Sequence, residues 1–222
     1  MRAVQFAEYG GPDVLRVVEV DEPHAGAGQV RIAVRAAGMN GIDWKIRAGY
    51  MGGAPLSKPG ETLLVSGASG GVGSAVVQIA RQRGINMIGT GSERNQDYLR
   101  SLGAVPTTYG ACLVDRVRDL APDGVDAALD IAGSGVIPEL IELTGEPYKV
   151  LSIADFSAPE QGAQVSTTST DAAGAMAEAA RLFTEGTFSL SVEQTFPLEA
   201  AVEAHAASEA GHVAGRLVVT VP

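Results

Sequence analysis

The sequence is poor in the residues that usually carry metal or covalent chemistry. Among 222 residues there is one cysteine, Cys112, and three histidines, His24, His205 and His212. A lone cysteine cannot close an intramolecular disulfide and is too few for a thiolate zinc cage. The histidines lack the short helical spacing that would aim two at one metal, so no metal site is expected, and Cys112, in a loop before a predicted helix, is assigned no role. Basic charge is scarce too. Lys and Arg total 16 against 26 Asp and Glu, a net charge of -10, so a surface tracking the phosphates of DNA or RNA has no overall electrostatic support. Hydrophobic residues make up 45%, yet no run approaches the roughly 18 apolar residues that cross a bilayer. The N-terminus reaches Glu8 before any long apolar stretch develops and does not read as a secretory signal. The expectation is a cytoplasmic protein with no nucleic-acid or membrane partner.

Glycine is what the chain has in excess. Its 28 glycines are dispersed, which points to tight turns and close backbone approaches rather than a flexible linker. The first fifty residues read as short strands. Val14 to Val20 partly alternates, and Val30, Ile32 and Val34 alternate with Arg31 and Arg35 up to Ala36, the pattern of half-buried antiparallel β. From Thr62 short apolar runs each precede a helical pattern: Leu63-Leu64-Val65 then Ser74 to Arg83; Met87-Ile88 then Asn95 to Leu102; Val105 to Thr108 then Leu113 to Leu120; Val125 to Leu129 then Val136 to Leu143; and lastly Lys149 to Ile153. Strands joined by helical crossovers predict an α/β fold with a doubly wound parallel sheet, because parallel neighbours require such connections. A polar, Ser/Thr-rich stretch follows, then a helix from Ala172 to Glu185, a strand near Val192 to Phe196, a helix from Leu198 to about Ala210 and a strand from Arg216 to Val221. The Pro- and Gly-rich segment from Gly52 to Gly60 is the expected domain joint. Residues 1–57 with about 187–222 then form a β domain, and 58–186 form the Rossmann domain.

The most informative segment is Leu63-Leu64-Val65-Ser66-Gly67-Ala68-Ser69-Gly70-Gly71-Val72-Gly73-Ser74, a strand, a glycine turn and a helix start. Its Ala68-x-Gly70-x-x-Gly73 spacing is a dinucleotide fingerprint with alanine at the first glycine. It lies at the first strand-to-helix junction, where backbone amides and a helix N-terminus converge on a pyrophosphate. Ala68, Ser69, Gly70, Gly71, Val72 and Gly73 are therefore cofactor-binding candidates, against the alternative of glycines that only build a turn. The end of the second strand selects the nucleotide. Ser92 leaves room for a 2'-phosphate, and Arg94 and Asn95 follow it, with Arg94 able to offer charge-assisted hydrogen bonds. That favours NADPH, unless Glu93 rather than Ser92 faces the ribose; a solvated Arg94 at a helix start is the bland alternative. Ala132 and Gly133 close the fourth strand and Ile153, Ala154 and Asp155 the fifth, so these five are expected to line the nicotinamide pocket.

The chain resembles the medium-chain dehydrogenase/reductase superfamily, in its zinc-free quinone oxidoreductase (zeta-crystallin-like) branch. The resemblance is carried by Met1-Arg2-Ala3-Val4 with Gly10-Gly11-Pro12, by Gly38-Met39-Asn40-Gly41-Ile42-Asp43, by Arg47-Ala48-Gly49-Tyr50, by Lys58-Pro59-Gly60-Glu61, by Leu99 to Ala104, and by Gly211-His212-Val213-Ala214-Gly215-Arg216. It implies a GroES-like β domain beside the Rossmann domain and hydride transfer from NADPH to a quinone or an α,β-unsaturated carbonyl. Zinc-dependent relatives carry a cysteine at the place resembling Asn40, so Asn40 implies the zinc-free branch and a contact to substrate or nicotinamide ribose. Asp43, Lys45 and Tyr50 are further catalytic candidates, each with a plain structural alternative, and Gly215 with Arg216 resembles an element that approaches the cofactor. The resemblance also implies a homodimer, in keeping with the open edge of a parallel sheet. One departure is large: only Met51 to Ser57 separate two segments that the family holds several dozen residues apart. The expectation is an internal deletion in the GroES-like domain that spares cofactor binding and leaves the substrate cleft open. A catalytically impaired NADPH-binding protein or redox sensor is the rival. A short-chain dehydrogenase would need a Tyr-x-x-x-Lys pair, which Tyr148-Lys149 does not supply.

Overall fold

A computed structural model describes residues 1–7, 11–26, 28–39, 58–165 and 172–221. The chain divides into two units. One takes the described residues of Met1–Tyr50 with Val192–Gly211 and Arg216–Pro222; the other takes those of Met51–Ser191 with His212–Gly215. Residues 187–191 and His212–Gly215 thus go with the larger unit, a division different in detail from 58–186.

The larger unit is a six-stranded parallel sheet in the order β6-β5-β4-β7-β8-β9. Its central strand β4 (Thr62–Ser66) is flanked by β5 (Asn86–Thr90) and β7 (Ala127–Asp130), with β6 (Val105–Thr107) outside β5, and β8 (Val150–Ser152) and β9 (Gln164–Val165) outside β7. Leu63 to Ser66 are all buried, as a parallel strand covered on both faces requires. Side chains alternate along β4. Leu63 and Val65 join one core with Val77, Met87, Leu99 and Leu102, while Leu64 joins the other with Val117, Ala128, Ile137, Leu140 and Val150. The first core carries α1 (Gly71–Gln82) and α2 (Gln96–Leu102); the second carries α3 (Leu113–Leu120) and α4 (Ile137–Thr144). Fully burying each of Leu64, Leu99, Ile137 and Leu140 contributes about 1.5–3 kcal/mol. The winding runs outward from β4 through β5 to β6, then reverses to β7, so the strand order switches direction between β4 and β7. Ligands of such sheets bind beyond the carboxyl ends at that switch. Beyond β9 lies α5 (Ala172–Thr184).

The smaller unit pairs β1 (Arg2–Gln5) antiparallel with β2 (Arg16–Glu19). A second sheet has the order β10-β11-β3, with β10 (Val192–Pro197) parallel to β11 (Arg216–Thr220) and β11 antiparallel to β3 (Ala36–Met39). Helix α6 (Ala201–Ala210) connects β10 to β11. Leu15, Phe196, Leu198, Leu217 and Val219 are its buried side chains of size.

Two expectations are corrected. The strand expected over Val30–Ala36 does not form: β3 starts at Ala36, and Val30 and Ile32 are 82% and 75% exposed. Alternation marks a strand only where a second layer buries one face, and among the described residues no such layer covers these side chains. Conversely, the sheet has a sixth strand, β9, inside the stretch read as polar loop; at two residues it is too short to carry a periodicity.

Candidate functional site

The carboxyl end of β4 turns sharply. Gly67 is left-handed (φ +81), and its N–H donates to Thr90 Oγ1 at 3.1 Å, while the Ala68 N–H donates to Thr90 O at 3.0 Å. The turn is thereby stitched to the end of β5. A Cβ at Gly73 would lie 2.2 Å from Gly67 O and 2.6 Å from Ala68 Cα, so only hydrogen fits where α1 passes over the turn. Ala68 itself fills the space beside Gly89, whose Cβ would sit 2.8 Å from the Ala68 methyl. This explains how alanine stands at the first fingerprint position.

Gly70 behaves differently. Its φ is -74 and a Cβ there would meet only Gly67 O at 3.6 Å, an ordinary contact. Nothing inside the protein demands glycine at 70; its lack of a side chain serves the space outside. That space faces the start of α1, which has no side-chain cap and no acidic residue in its first turn. The first-turn N–H groups of a helix have no intrahelical acceptor and carry partial positive charge. A phosphate is the complement to such a seat.

The second wall is the turn after β5. Ser92 Oγ is buried without a hydrogen-bond partner, whereas Glu93 is exposed. Asn95, 3% exposed, donates from Nδ2 to Ser69 Oγ at 3.1 Å, tying this turn to the glycine loop. The Arg94 guanidinium donates to the His212 carbonyl. Gly215 N–H donates to Ser69 O at 2.8 Å, and Gly215 pairs with Gly70 in an isolated parallel bridge. Its φ is +95 and a Cβ would press on Ser191 O at 2.4 Å, so glycine is required. Arg216 begins β11 in the other unit; the Gly215-Arg216 pair is thus split between the two. Sequence reasoning missed Tyr109 and His212, whose rings are 6.4 Å apart beside the Arg94 contact. The available signal was position: Tyr109 follows the carboxyl end of β6, and the rule applied to the fourth and fifth strands holds for the third as well.

The third wall is organised by a buried carboxylate. Asp130, 0% exposed at the end of β7, accepts from the Ala132 and Gly133 N–H groups at 3.1 and 3.0 Å through Oδ1, and from Ser152 Oγ at 2.7 Å through Oδ2. Ser152 Oγ in turn accepts from the N–H groups of Ala154 and Asp155 at 3.0 and 2.7 Å. One carboxylate and one hydroxyl therefore fix both turns, and the N–H groups of Ala132, Gly133, Ala154 and Asp155 are already committed. Ile153 N–H is committed as well, to Asp130 O at 2.9 Å. Asn40, Asp43, Lys45 and Tyr50 lie outside the described residues. Among the described residues no cluster of three or more His, Cys, Asp or Glu is arranged to hold a metal, and no helix is long and apolar enough to cross a membrane.

Residues 110–219 match the family described as zinc-binding dehydrogenase. Prostaglandin reductase 1 of Mus musculus is 42% identical over 80 residues, 34% of this chain and 24% of that protein. A putative NADP-dependent oxidoreductase of Bacillus subtilis is 33% identical over 116 residues, 49% of this chain and 33% of its own length. The matched stretches thus span a third or less of these relatives. In structure, the chain is similar throughout to Escherichia coli quinone oxidoreductase complexed with NADPH, at a TM-score of 0.81 and 18% identity, with 100% of each chain covered. Fold, glycine turn and sequence relatives agree in their likeness to the medium-chain dehydrogenase/reductase superfamily.

Proposed function

We propose that the chain is a zinc-independent oxidoreductase that transfers hydride from NADPH to a quinone or an α,β-unsaturated carbonyl, acting as a homodimer in the cytoplasm. The observation that carries the cofactor is the orphaned Ser92 hydroxyl, two residues before Arg94, taken together with the uncapped start of α1 at the glycine loop. A buried hydroxyl without a partner costs about 1–3 kcal/mol, and a 2'-phosphate removes that cost by accepting from Ser92 while Arg94 supplies charge. Ser69 to Gly73 hold the pyrophosphate through backbone N–H groups, and Tyr109 with His212 borders the adenosine end. When bound, NADPH supplies the hydride, so the protein needs only to orient the acceptor and stabilise developing negative charge. The turns held by Asp130 shape the nicotinamide end, where the carbonyls of Gly133 and Ile153 are suited to accept from its carboxamide. Asn40 positions the substrate carbonyl or the nicotinamide ribose, with Asp43, Lys45 and Tyr50 as further polar groups; its place among zinc-free relatives supports zinc independence. Arg216 is a further cofactor candidate from the terminal strand. The smaller unit is read as a reduced GroES-like domain.

Titration of NADPH and NADH by cofactor fluorescence, followed by turnover of a simple quinone, tests this reading. Tighter NADPH with measurable turnover supports it; equal affinity or tighter NADH removes the Ser92 and Arg94 assignment. The short Met51–Ser57 connection favours a second reading, an NADPH-binding protein without efficient turnover, and NADPH binding with no quinone reduction would select it. The shortened N-terminal segment predicts slow turnover with little discrimination among quinones, slowed further in Asn40→Ala. Fast, selective catalysis, or an unchanged Asn40→Ala rate, contradicts that part.

A further inference from the structure

Strand β6 passes to α3 through Thr108-Tyr109-Gly110-Ala111-Cys112, a turn with little of its own to hold it. Gly110 and Cys112 are both left-handed, at φ +83 and +59. Cys112 carries a Cβ, which that conformation disfavours, so the turn keeps its shape only if its surroundings fix it. Its carbonyls show what does. Gly110 O and Cys112 O accept from the Leu113 and Arg116 N–H groups as α3 begins, each at 3.1 Å. Thr108 O, Tyr109 O and Ala111 O have no backbone donor among the described residues, and one guanidinium takes all three. Arg116 of α3 donates from Nη2 to Thr108 O at 2.8 Å and to Tyr109 O at 3.4 Å, and from Nη1 to Ala111 O at 2.6 Å. Its Nε donates to Thr107 Oγ1 at 3.3 Å. Only arginine has a rigid planar fork of donors that reaches so many acceptors at once.

The turn so held is bonded to the turn that carries Ser92. Thr107 O accepts from the Gly91 N–H at 3.1 Å, and the Gln96 amide donates both to Thr107 O at 3.2 Å and to Ser92 O at 3.1 Å. Tyr109 is 47% exposed. Its ring lies 6.4 Å from that of His212 at an angle of 60°, and the His212 carbonyl accepts from Arg94. An open aromatic face of this kind is what a nucleotide base stacks on. We propose that Arg116 is a positioning residue for the adenine half of the cofactor: by fixing Thr107 to Ala111 it presents the Tyr109 ring as the surface on which adenine stacks. The inference rests on the NADPH site of the proposed function, and it gives two arginines different tasks. Arg94 serves the 2'-phosphate, which NADPH alone carries, whereas Arg116 serves the adenine that NADPH, NADH and ADP share.

Titration of the full chain with NADPH, NADH and ADP reads the difference. Arg116→Met, which keeps an apolar stem, should raise all three dissociation constants by roughly tenfold. Made on top of Tyr109→Leu, the same change should add nothing, because a positioning residue acts through the ring it positions, whereas general damage to the fold would add to the loss. An ADP affinity indifferent to Arg116→Met overturns the inference. So does a further loss of ADP affinity when Arg116→Met is added to Tyr109→Leu. If Arg116→Met fails to fold, Arg116→Lys, which keeps the charge without the fork, takes its place and the same two outcomes decide. A wild type that binds neither NADPH nor ADP overturns the proposed function and this inference with it. Binding of ADP that depends on Arg116 and Tyr109, in a chain that prefers NADH to NADPH, supports the inference and counts against the proposed function alone.

Discussion

Gly70 and Gly73 separate two reasons for a glycine three residues apart. Gly73→Ala forces a methyl into Gly67 O and the Ala68 backbone, neither of which is a flexible side-chain end. Overpacking of that kind costs about 1–3 kcal/mol or more, and a lowered thermal midpoint without ligand should show it. Gly70→Ala meets only an ordinary contact at 3.6 Å, so its midpoint should match wild type while NADPH affinity falls, a split that paired thermal scans and titrations would resolve. Asp130→Asn makes a similar point for the third wall. Asn keeps one acceptor for the two N–H groups but turns an NH2 toward Ser152 Oγ, which already accepts from Ala154 and Asp155. The mismatch should cost about 1–3 kcal/mol in urea unfolding. For Arg94→Ala, titration should show NADPH weakened more than NADH, by about 1.5–3 kcal/mol if the phosphate contact forms.

At the scale of elements, the strand–helix alternation was legible wherever a residue run had layers on both sides. Leu63 to Val65 is apolar and, with Ser66, buried throughout, and the glycines at 70 and 73 sit at the junction their spacing indicated. Where burial depends on partners distant in the chain, the pattern misled. Val30 to Val34 alternates yet stays exposed, and β9 pairs with β8 from inside a polar stretch. The Asp130 network was illegible for a related reason: a lone Asp at a strand end gives no sign of being buried until the turns around it are placed. Helix α5 offers a pH test. The hydrogen bond from Arg83 holds the Glu178 carboxyl below its ordinary value of 4.5, against the opposing effect of burial. A lowered folded value means the ion pair stabilises above the unfolded value and that this is lost as pH falls through the folded one. Because Arg83 is 46% exposed, screening limits the gain to under about 1 kcal/mol. Glu178→Gln should lower the thermal midpoint slightly at neutral pH, and the difference from wild type should vanish in acid.

For the whole molecule, ligand linkage separates the two units. NADPH at a hundred times its dissociation constant stabilises the unit that binds it by about 2.7 kcal/mol. Calorimetry with and without NADPH should raise the transition of the larger unit; an unmoved transition would place the nucleotide elsewhere.

The sheet order β10-β11-β3 also sets a timetable during translation. Strand β3 ends at Met39, but its neighbour β11 begins at Arg216. At synthesis rates of roughly 5–20 residues per second, β3 emerges about ten to thirty-five seconds before the strand that pairs with it. Within that interval the six strands of the other sheet, β4 to β9, are all made, the last of them ending at Val165, well before Arg216. The order of emergence therefore completes the six-stranded sheet before the β10-β11-β3 sheet, which closes only once Arg216–Thr220 has been made.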